Sequence, residues 1–285
     1  MKEGADPWAL WVLRPENELE SMHPARDRVL ANAQVGAGDT VLDVGTGSGL
    51  VGFGAITRVG QRGKVIFCDL SETLVEHCRR EADDRGVTGR CEFLVASADD
   101  LSALRDESVD VLTTRSVLIY VKDKVRAFGE FLRVLRPGGR LSIFEPINSF
   151  AYPEPDDRFV GYDVGPILSI VRKLKAAYDG IQPPDDPMLD FDERDLLRQA
   201  EEAGFVEIHL TLEVKIDSRP WAGSTWDAFL RTSGNPRLPS LEEVLDDALT
   251  FEEKERFSRY MRPLVERGEG EGRLALAYLW AVKPG

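Results

Sequence analysis

The sequence predicts an α/β fold in which a parallel sheet is covered by helices on both faces. Between residues 25 and 148, short apolar segments of strand length alternate with longer amphipathic segments of helical length. This alternation is typical of strand–helix–strand units, which build parallel sheets. The first apolar segment ends in Asp43 and turns through Gly45, Gly47 and Gly49 into a helix, as expected at the carboxyl edge of such a sheet.

Five strands are predicted in this region, with helices between them. Pro137, Gly138 and Gly139 predict a turn just before the fifth strand. The clearest helices span residues 72–85 and 124–135. The predicted strands are residues 40–44, 64–68, 91–95, 109–113 and 140–144.

The remainder of the chain is predicted to complete the sheet. Asp192 has the right position to cap a helix that ends at Ala203, with Gly204 as its stop. Alternating apolar and polar residues predict a strand over 205–216, and a strongly apolar run predicts a last strand over 273–282.

The chain is divided into four predicted segments. Trp8 and Trp11 lie in the first segment and predict a helix that docks on the body of the protein. That helix could cover the mouth of a pocket or pack far from any site. The segments are an N-terminal arm (1–24), a cofactor-binding core (25–148), a lid insertion (149–190) and a completion of the core sheet (191–285), with a substrate-side insertion at about 217–272.

Composition and charge favour a small-molecule substrate. The 285 residues are 42% hydrophobic and carry a net charge of −14, which disfavours nucleic acid and anionic membranes as partners. Neither a membrane-spanning run nor a signal peptide is recognisable, so a cytoplasmic location is predicted. Cys68, Cys78 and Cys91 match no zinc spacing, which predicts reduced thiols and no metal site.

The glycine-rich turn after the first strand predicts a nucleotide-like cofactor. Glycine lets the backbone adopt positive φ and approach a ligand where a Cβ would collide. The spacing of Gly47, Gly49 and Gly52 also matches the dinucleotide fingerprint, which alone is a weak signal. Asp43 places a negative charge where a phosphate-binding loop would avoid one, which favours a cationic sulfonium cofactor such as S-adenosylmethionine.

Acidic residues follow the next two strands at the same predicted edge. Asp69 ends the second strand and can accept hydrogen bonds from both hydroxyls of a ribose. The turn at residues 97–100 follows the third strand and is suited to contact an adenine amine. The first feature serves either type of cofactor, whereas dehydrogenases do not require the second.

Taken together, these motifs resemble those of the class I S-adenosylmethionine-dependent methyltransferases. Within that family, the chain is most similar to small-molecule methyltransferases of the ubiquinone and menaquinone biosynthesis type. The resemblance implies a Rossmann-like, doubly wound sheet of seven strands whose last strand is antiparallel, with helical lid insertions. It is carried by Asp43-x-Gly45-x-Gly47-x-Gly49, Asp69, Ala98-Asp99 and Leu135-Arg136-Pro137-Gly138-Gly139.

The resemblance also implies S-adenosyl-L-methionine as the cofactor and assigns residues to its parts. Asp43 would reach the cofactor's ammonium group through water. Leu70 would pack on the face of the adenine. The implied cofactor-binding residues are Asp43, Gly45, Thr46, Gly47 and Arg115 for the methionine part, Asp69 for the ribose, and Leu70, Ala98 and Asp99 for the adenine.

Three residues are candidates for a role in catalysis. Methyl transfer is an in-line displacement that gains from alignment, and it needs a general base only if the acceptor loses a proton. His23 precedes the first core helix, whereas His77 and His209 lie within a predicted helix and strand and are interpreted as structural. Glu145 ends the fifth strand and could orient an acceptor or satisfy a turn. Arg115 could bind a substrate carboxylate or pair with a nearby acid.

The sequence therefore predicts methyl transfer to a small organic metabolite at oxygen, nitrogen or carbon. Two alternatives remain open at this point. An NAD(P)-dependent oxidoreductase could use the same kind of sheet, and a protein without turnover could bind S-adenosylmethionine through the same residues.

Overall fold

A seven-stranded sheet forms the centre of one of the two compact units of the chain. The computed structural model describes residues 6–14, 22–183, 185–218 and 225–285. Unit 1 comprises Met1–Pro146, Phe191–Leu212 and Leu276–Gly285, and unit 2 comprises Ile147–Asp190 and Glu213–Ala275.

The strands are β1 (Thr40–Val44), β2 (Lys64–Asp69), β3 (Cys91–Val95), β4 (Val109–Arg115), β5 (Leu135–Pro146), β6 (Arg158–Phe159), β7 (Tyr162–Asp163), β8 (Val206–Asp217) and β9 (Gly272–Val282). The order of strands in the seven-stranded sheet is β3-β2-β1-β4-β5-β9-β8. Strands β1 to β5 pair in parallel, and β9 runs antiparallel to β5. The predicted doubly wound sheet of seven strands is therefore confirmed.

Helices cover both faces of this sheet. They are α1 (Pro7–Val12), α2 (His23–Asn32), α3 (Leu50–Val59), α4 (Glu72–Asp84), α5 (Lys124–Val134), α6 (Leu168–Ile181), α7 (Glu193–Ala203), α8 (Trp226–Leu230), α9 (Leu241–Ala248) and α10 (Phe251–Arg267), of which some belong to the second unit. On one face, Val41 and Phe67 pack in a buried cluster with side chains of α2, α3 and α4. The alternate residues Leu42 and Leu112 are fully buried as well, as expected for a sheet with two covered faces.

Two local predictions can be compared directly with the structure. Asp192 caps α7 by accepting the N–H groups of Arg194 and Asp195, and Gly204 ends that helix with φ +103°, as predicted. The turn expected before the fifth strand is instead an irregularity within β5. Gly138 has φ +73°, yet its N–H donates to Lys283 O at 3.0 Å, so the backbone stays paired through the bend.

Unit 2 has its own apolar core. Phe159, Trp226, Phe257 and Met261 are buried together between α6, α8, α9, α10 and the β6–β7 hairpin. Gly161 lies in that hairpin, where a Cβ would approach Glu271 O to 1.9 Å. The functional assignments of the four predicted segments remain predictions. Within the described part of the chain, no helix combines the length and the apolar character that crossing a membrane requires.

Candidate functional site

The site begins at Asp43, near the end of β1. Its side chain is buried, and its Oδ2 accepts hydrogen bonds from Thr46 Oγ1 at 2.8 Å and from Gly52 N at 2.9 Å. Its Oδ1 accepts from Thr113 Oγ1 of β4 at 3.0 Å. Burial raises the pKa of the Asp43 carboxyl to about 6, although these donors favour its charged form. Asp43 thus ties the glycine loop to the start of α3 and to the neighbouring strand.

The glycine loop takes a backbone conformation that side chains would oppose. Gly45, Gly47 and Gly49 have φ values of +65°, +56° and +86°. A Cβ on Gly45 would lie 2.3 Å from Val117 Cγ2, whereas one on Gly47 would meet Val12 Cγ1 at 3.4 Å, an ordinary contact. The loop therefore depends on glycine at position 45 for both conformation and space.

Asp69, at the end of β2, holds the same loop from the other side. Its Oδ2 accepts from Gly47 N at 2.9 Å and its Oδ1 accepts from Ser71 N at 3.0 Å. Burial raises the pKa of the Asp69 carboxyl, and these two N–H groups work against that shift. The next side chain, Leu70, is 70% exposed, so an apolar surface lies beside the carboxylate. This combination suits a ligand with a hydroxylated part and a flat apolar part.

The turn after β3 is held by its own acidic residues. Ala98 is buried, and Asp99 accepts a hydrogen bond from the Ser97 hydroxyl. Ser97 and Asp100 pair across the turn. The turn therefore has a defined conformation at the carboxyl edge of β3, where it was predicted to meet an adenine.

Helix α1 lies against three parts of this edge. Asp6 caps α1 through Trp8 N at 2.9 Å, and its second oxygen accepts from the Ser71 hydroxyl. The Trp8 ring meets the Tyr120 ring edge-on, with 4.7 Å between the centroids. Val12 borders Gly47. Of the predicted arm (1–24), residues 1–5 and 15–21 lie outside the described residues.

Glu145, near the end of β5, is fully buried and holds the turn that follows β4. Its Oε1 accepts from Val117 N at 2.9 Å and Leu118 N at 3.0 Å, and its Oε2 accepts from Ile119 N at 3.3 Å. Burial raises the pKa of this carboxyl to about 7. These contacts give Glu145 a structural function, and its predicted role in catalysis remains a prediction.

Arg115 is the last residue of β4 and lies near both Asp43 and Glu145. Asp43 and Glu145 both act electrostatically on its guanidinium, and burial lowers its pKa against their influence. Tyr120 acts on it electrostatically as well. Neither carboxylate forms an ion pair with the guanidinium, and no described residue accepts a hydrogen bond from it. The predicted alternative of an ion pair with a nearby acid is therefore not observed among the described residues.

The structure does not bring the histidines into this network. His23 is the exposed first residue of α2, where its charge acts on Asp27 within the same helix. His77 lies within α4. His209 stacks on Trp280, with ring centroids 5.1 Å apart, which agrees with the structural interpretation. His23 remains a predicted catalytic residue without a described contact to the glycine loop.

Several residues of the site were not predicted from the sequence. Thr113 was missed because its contact with Asp43 depends on the register of β4 against β1. Val117 was missed because its approach to Gly45 is a tertiary contact. Ser71 could have been recognised, since it precedes a helical run as an N-cap residue should.

Comparison with known proteins agrees with this geometry. Residues 36–158 match a family described as a methyltransferase domain. The chain is 33% identical over 135 residues to the ubiquinone/menaquinone biosynthesis C-methyltransferase UbiE of Francisella tularensis subsp. novicida, a match covering 45% of this chain and 54% of UbiE. The chain thus spans about half the length of the curated relatives it matches.

Two solved structures show the similarity in fold. The YcgJ protein of Bacillus subtilis superposes with a TM-score of 0.59 at 18% identity, covering 92% of this chain and 99% of YcgJ. A geranyl diphosphate methyltransferase in complex with SAM superposes with a TM-score of 0.53 at 18% identity. The match covers 99% of this chain and 92% of the geranyl diphosphate methyltransferase.

Proposed function

We propose that the chain transfers the methyl group of S-adenosyl-L-methionine to a small organic acceptor, because residues 36–158 match a methyltransferase domain and the chain is similar to UbiE over 135 residues. The observation that carries this proposal is the glycine loop held between Asp43 and Asp69 by hydrogen bonds. That loop presents backbone at the carboxyl edge of β1 and β2, where cofactors of such sheets bind.

The residues around the loop fit the chemistry of this cofactor. Asp69 retains free lone pairs beside its two N–H donors and can accept from ribose hydroxyls. Leu70 offers an exposed apolar surface for the adenine, and Ala98 and Asp99 follow at the next strand. The methionine part would lie along Gly45, Thr46 and Gly47, with Arg115 nearby. Asp43, whose oxygens already accept three hydrogen bonds, would act mainly by holding the loop.

The protein's contribution to the reaction is alignment. The bound cofactor supplies an electrophilic methyl group on a sulfonium. Glu145 fixes the turn after β4, and that turn packs on Gly45, so the loop and the turn are held as one rigid edge. Alignment of this kind is worth several kcal/mol in an in-line displacement. An acceptor that must lose a proton needs a base in addition, for which His23 and Glu145 are the candidates.

The acceptor is proposed to be a small organic metabolite that is methylated at oxygen, nitrogen or carbon. The net charge of −14 supports a small molecule over a nucleic acid. We further propose that the predicted lid insertion (149–190) and the substrate-side insertion (about 217–272) select the acceptor, because the methyltransferase-domain match ends at residue 158.

Calorimetric titration with S-adenosylhomocysteine, with NADH as the control, tests this proposal. Micromolar binding of S-adenosylhomocysteine alone is expected, and it would justify a screen of acceptors with a labelled methyl donor. Binding of NADH alone would overturn the proposal in favour of hydride transfer. Binding of S-adenosylhomocysteine without methylation of any metabolite in a cell extract would support the alternative of a binding protein without turnover.

Replacement of Asp69 by alanine is expected to weaken nucleoside binding by about 10- to 100-fold, because a charged acceptor of hydrogen bonds is lost. S-adenosylhomocysteine and 5′-methylthioadenosine should lose affinity equally, since both contain the ribose. Calorimetry on both ligands measures this effect. Asp84→Ala removes an exposed acid from α4 and is the matched control, with unchanged affinities. Unchanged affinity in Asp69→Ala would remove the assignment of the ribose site.

Replacement of Trp8 by alanine is expected to weaken binding of S-adenosylhomocysteine by about 2- to 10-fold. The variant loses an aromatic pair with Tyr120, worth about 0.5–1.5 kcal/mol, and with it part of the docking of α1 beside the glycine loop. Amide hydrogen exchange of residues 8–12 should accelerate at the same time. Leu10→Ala changes a 60% exposed residue of the same helix and serves as the control. Equal affinities in all three proteins would show that α1 does not contribute to the cofactor site.

A further inference from the structure

Arg115 is the last residue of β4, at the edge where the glycine loop and the turn after β4 meet. Its side chain is only partly exposed. In the parallel register, Arg115 pairs with Phe144 of β5 and Thr113 pairs with Asp43 of β1. Because residues two apart on a strand share a face, the Arg115 side chain leaves the sheet on the same face as Thr113 and Asp43. The guanidinium therefore lies at the carboxyl edge of the parallel strands of unit 1, where the cofactor site is proposed.

The two nearby carboxylates are held by other donors. Asp43 accepts from Thr46, Gly52 and Thr113, and Glu145 accepts from three consecutive backbone N–H groups. A movement of either carboxylate towards Arg115 would leave buried donors without acceptors, which is costly. Both acids therefore influence Arg115 at a distance without neutralising it by contact.

Other partly buried arginines of the same unit have partners. Arg140 pairs with Asp39 at 2.8 Å, and Arg133 pairs with Glu130 at 2.8 Å. Arg90 donates to the carbonyl oxygens of Ile56 and Gly60. Arg115 has no such contact among the described residues, and a desolvated cation without a partner is costly. A cost of this kind at a ligand-binding edge indicates that an anion arrives with the ligand.

We propose that Arg115 is the docking point for a carboxylate that a ligand brings into the site. The planar guanidinium matches a carboxylate with two parallel N–H···O bonds, a geometry that neither a backbone N–H nor a lysine reproduces. Two molecules of the proposed reaction could supply this group: the amino-acid tail of the cofactor, or an acidic acceptor. The inference rests on the proposed function, and it adds a requirement for an anionic group at a defined residue.

The first test compares two nucleosides on two variants. Arg115→Met removes the charge and keeps the bulk of the side chain. Arg115→Lys keeps the charge but lacks the two parallel N–H donors of the guanidinium. S-adenosylhomocysteine carries the amino-acid tail, and 5′-methylthioadenosine lacks it. If the tail supplies the carboxylate, Arg115→Met should lose about 10- to 100-fold in affinity for the first and less than about threefold for the second, with Arg115→Lys in between. Arg140→Gln, which removes a paired arginine from β5, is the control and should leave both affinities unchanged.

The second test uses acetate as a probe small enough to reach any carboxylate site. Thermal unfolding is measured in sodium acetate and in sodium chloride at equal ionic strength, with and without saturating S-adenosylhomocysteine. Acetate should stabilise the unmodified protein and not Arg115→Met. If S-adenosylhomocysteine abolishes this stabilisation, the cofactor's tail occupies the site. If the stabilisation persists, the carboxylate belongs to the acceptor.

These measurements separate the failure of the inference from the failure of the proposed function. If the unmodified protein binds neither nucleoside, the proposed function is wrong, and the acetate test without nucleoside still decides the function of Arg115. The inference is overturned if Arg115→Met matches the unmodified protein in both nucleoside affinities and in acetate stabilisation. It is also overturned if both nucleosides lose affinity equally and acetate has no specific effect, because Arg115 would then be structural.

Discussion

Replacement of Gly45 by alanine is expected to lower the affinity for S-adenosylhomocysteine by at least about 30-fold. The new Cβ would lie 2.3 Å from Val117 Cγ2, on a residue whose φ is +65°. Left-handed backbone costs an alanine about 1–2 kcal/mol, and overpacking adds about 1–3 kcal/mol. The loop can relieve both only by leaving the conformation that the proposed cofactor site requires, so the binding-competent fraction should fall.

Calorimetry with S-adenosylhomocysteine measures this effect, and two glycines of the same unit provide controls. Gly47→Ala has the backbone cost without a severe contact, because its Cβ would meet Val12 at 3.4 Å, so its loss of affinity should be smaller. Gly129→Ala lies in exposed helical backbone with nothing near its Cβ and should stabilise the protein by about 0.5–1 kcal/mol. An affinity of Gly45→Ala equal to that of Gly129→Ala would contradict the assignment of this loop.

The fold could be predicted because its signals are local. The apolar run before Asp43 and the glycines after it define β1 and the start of α3 through short-range chemistry. Asp192 and Gly204 likewise mark both ends of α7 by capping alone. Such signals do not depend on which residue lies opposite in space, so the alternation of strands and helices is readable from one sequence.

The site could be predicted only in part because its contacts depend on tertiary register. The positions of Asp43, Asp69 and Glu145 at strand ends were visible in the sequence. The partners of these residues were not, since Thr113 reaches Asp43 only through the pairing of β4 with β1. The same limit applies to Arg115, because only the structure shows that no partner for it lies among the described residues. Strand ends thus indicate where chemistry is concentrated, and the hydrogen bonds decide what each residue does.

The glycine loop and the turn after β4 behave as one structural element, and this makes Glu145 a sensitive position. Val117 donates its N–H to Glu145 and packs its side chain on Gly45. The Glu145 carboxylate therefore supports the glycine loop indirectly, through Val117. Loss of this carboxylate would leave three backbone N–H groups at the buried end of β5 without their acceptor. A change at Glu145 should therefore affect stability and cofactor affinity together.

Glu145→Gln is expected to change how the free energy of unfolding depends on pH. Burial raises the pKa of the Glu145 carboxyl to about 7 from an ordinary value of 4.5. A carboxyl with a raised pKa contributes stability that is fully present below pH 4.5 and is lost as the pH rises through about 7. The variant lacks this titration, while its amide oxygen can still accept from Val117 and Leu118. The stability of the unmodified protein minus that of the variant should therefore fall by about 3 kcal/mol between pH 4.5 and pH 8.

Urea unfolding at pH 4.5, 6 and 8 measures this difference, and Glu130→Gln is the control with the opposite sign. The hydrogen bond from Arg133 lowers the pKa of the Glu130 carboxyl, so its contribution to stability is lost as the pH falls. The corresponding difference for Glu130→Gln should rise with pH over the acidic part of the range. Asp43, whose pKa is raised to about 6, titrates in both proteins of each comparison, so its contribution to the difference in unfolding free energy cancels. A difference for Glu145→Gln that rises with pH would show that its three N–H donors outweigh burial, and that the carboxylate is charged in the folded protein even in mild acid.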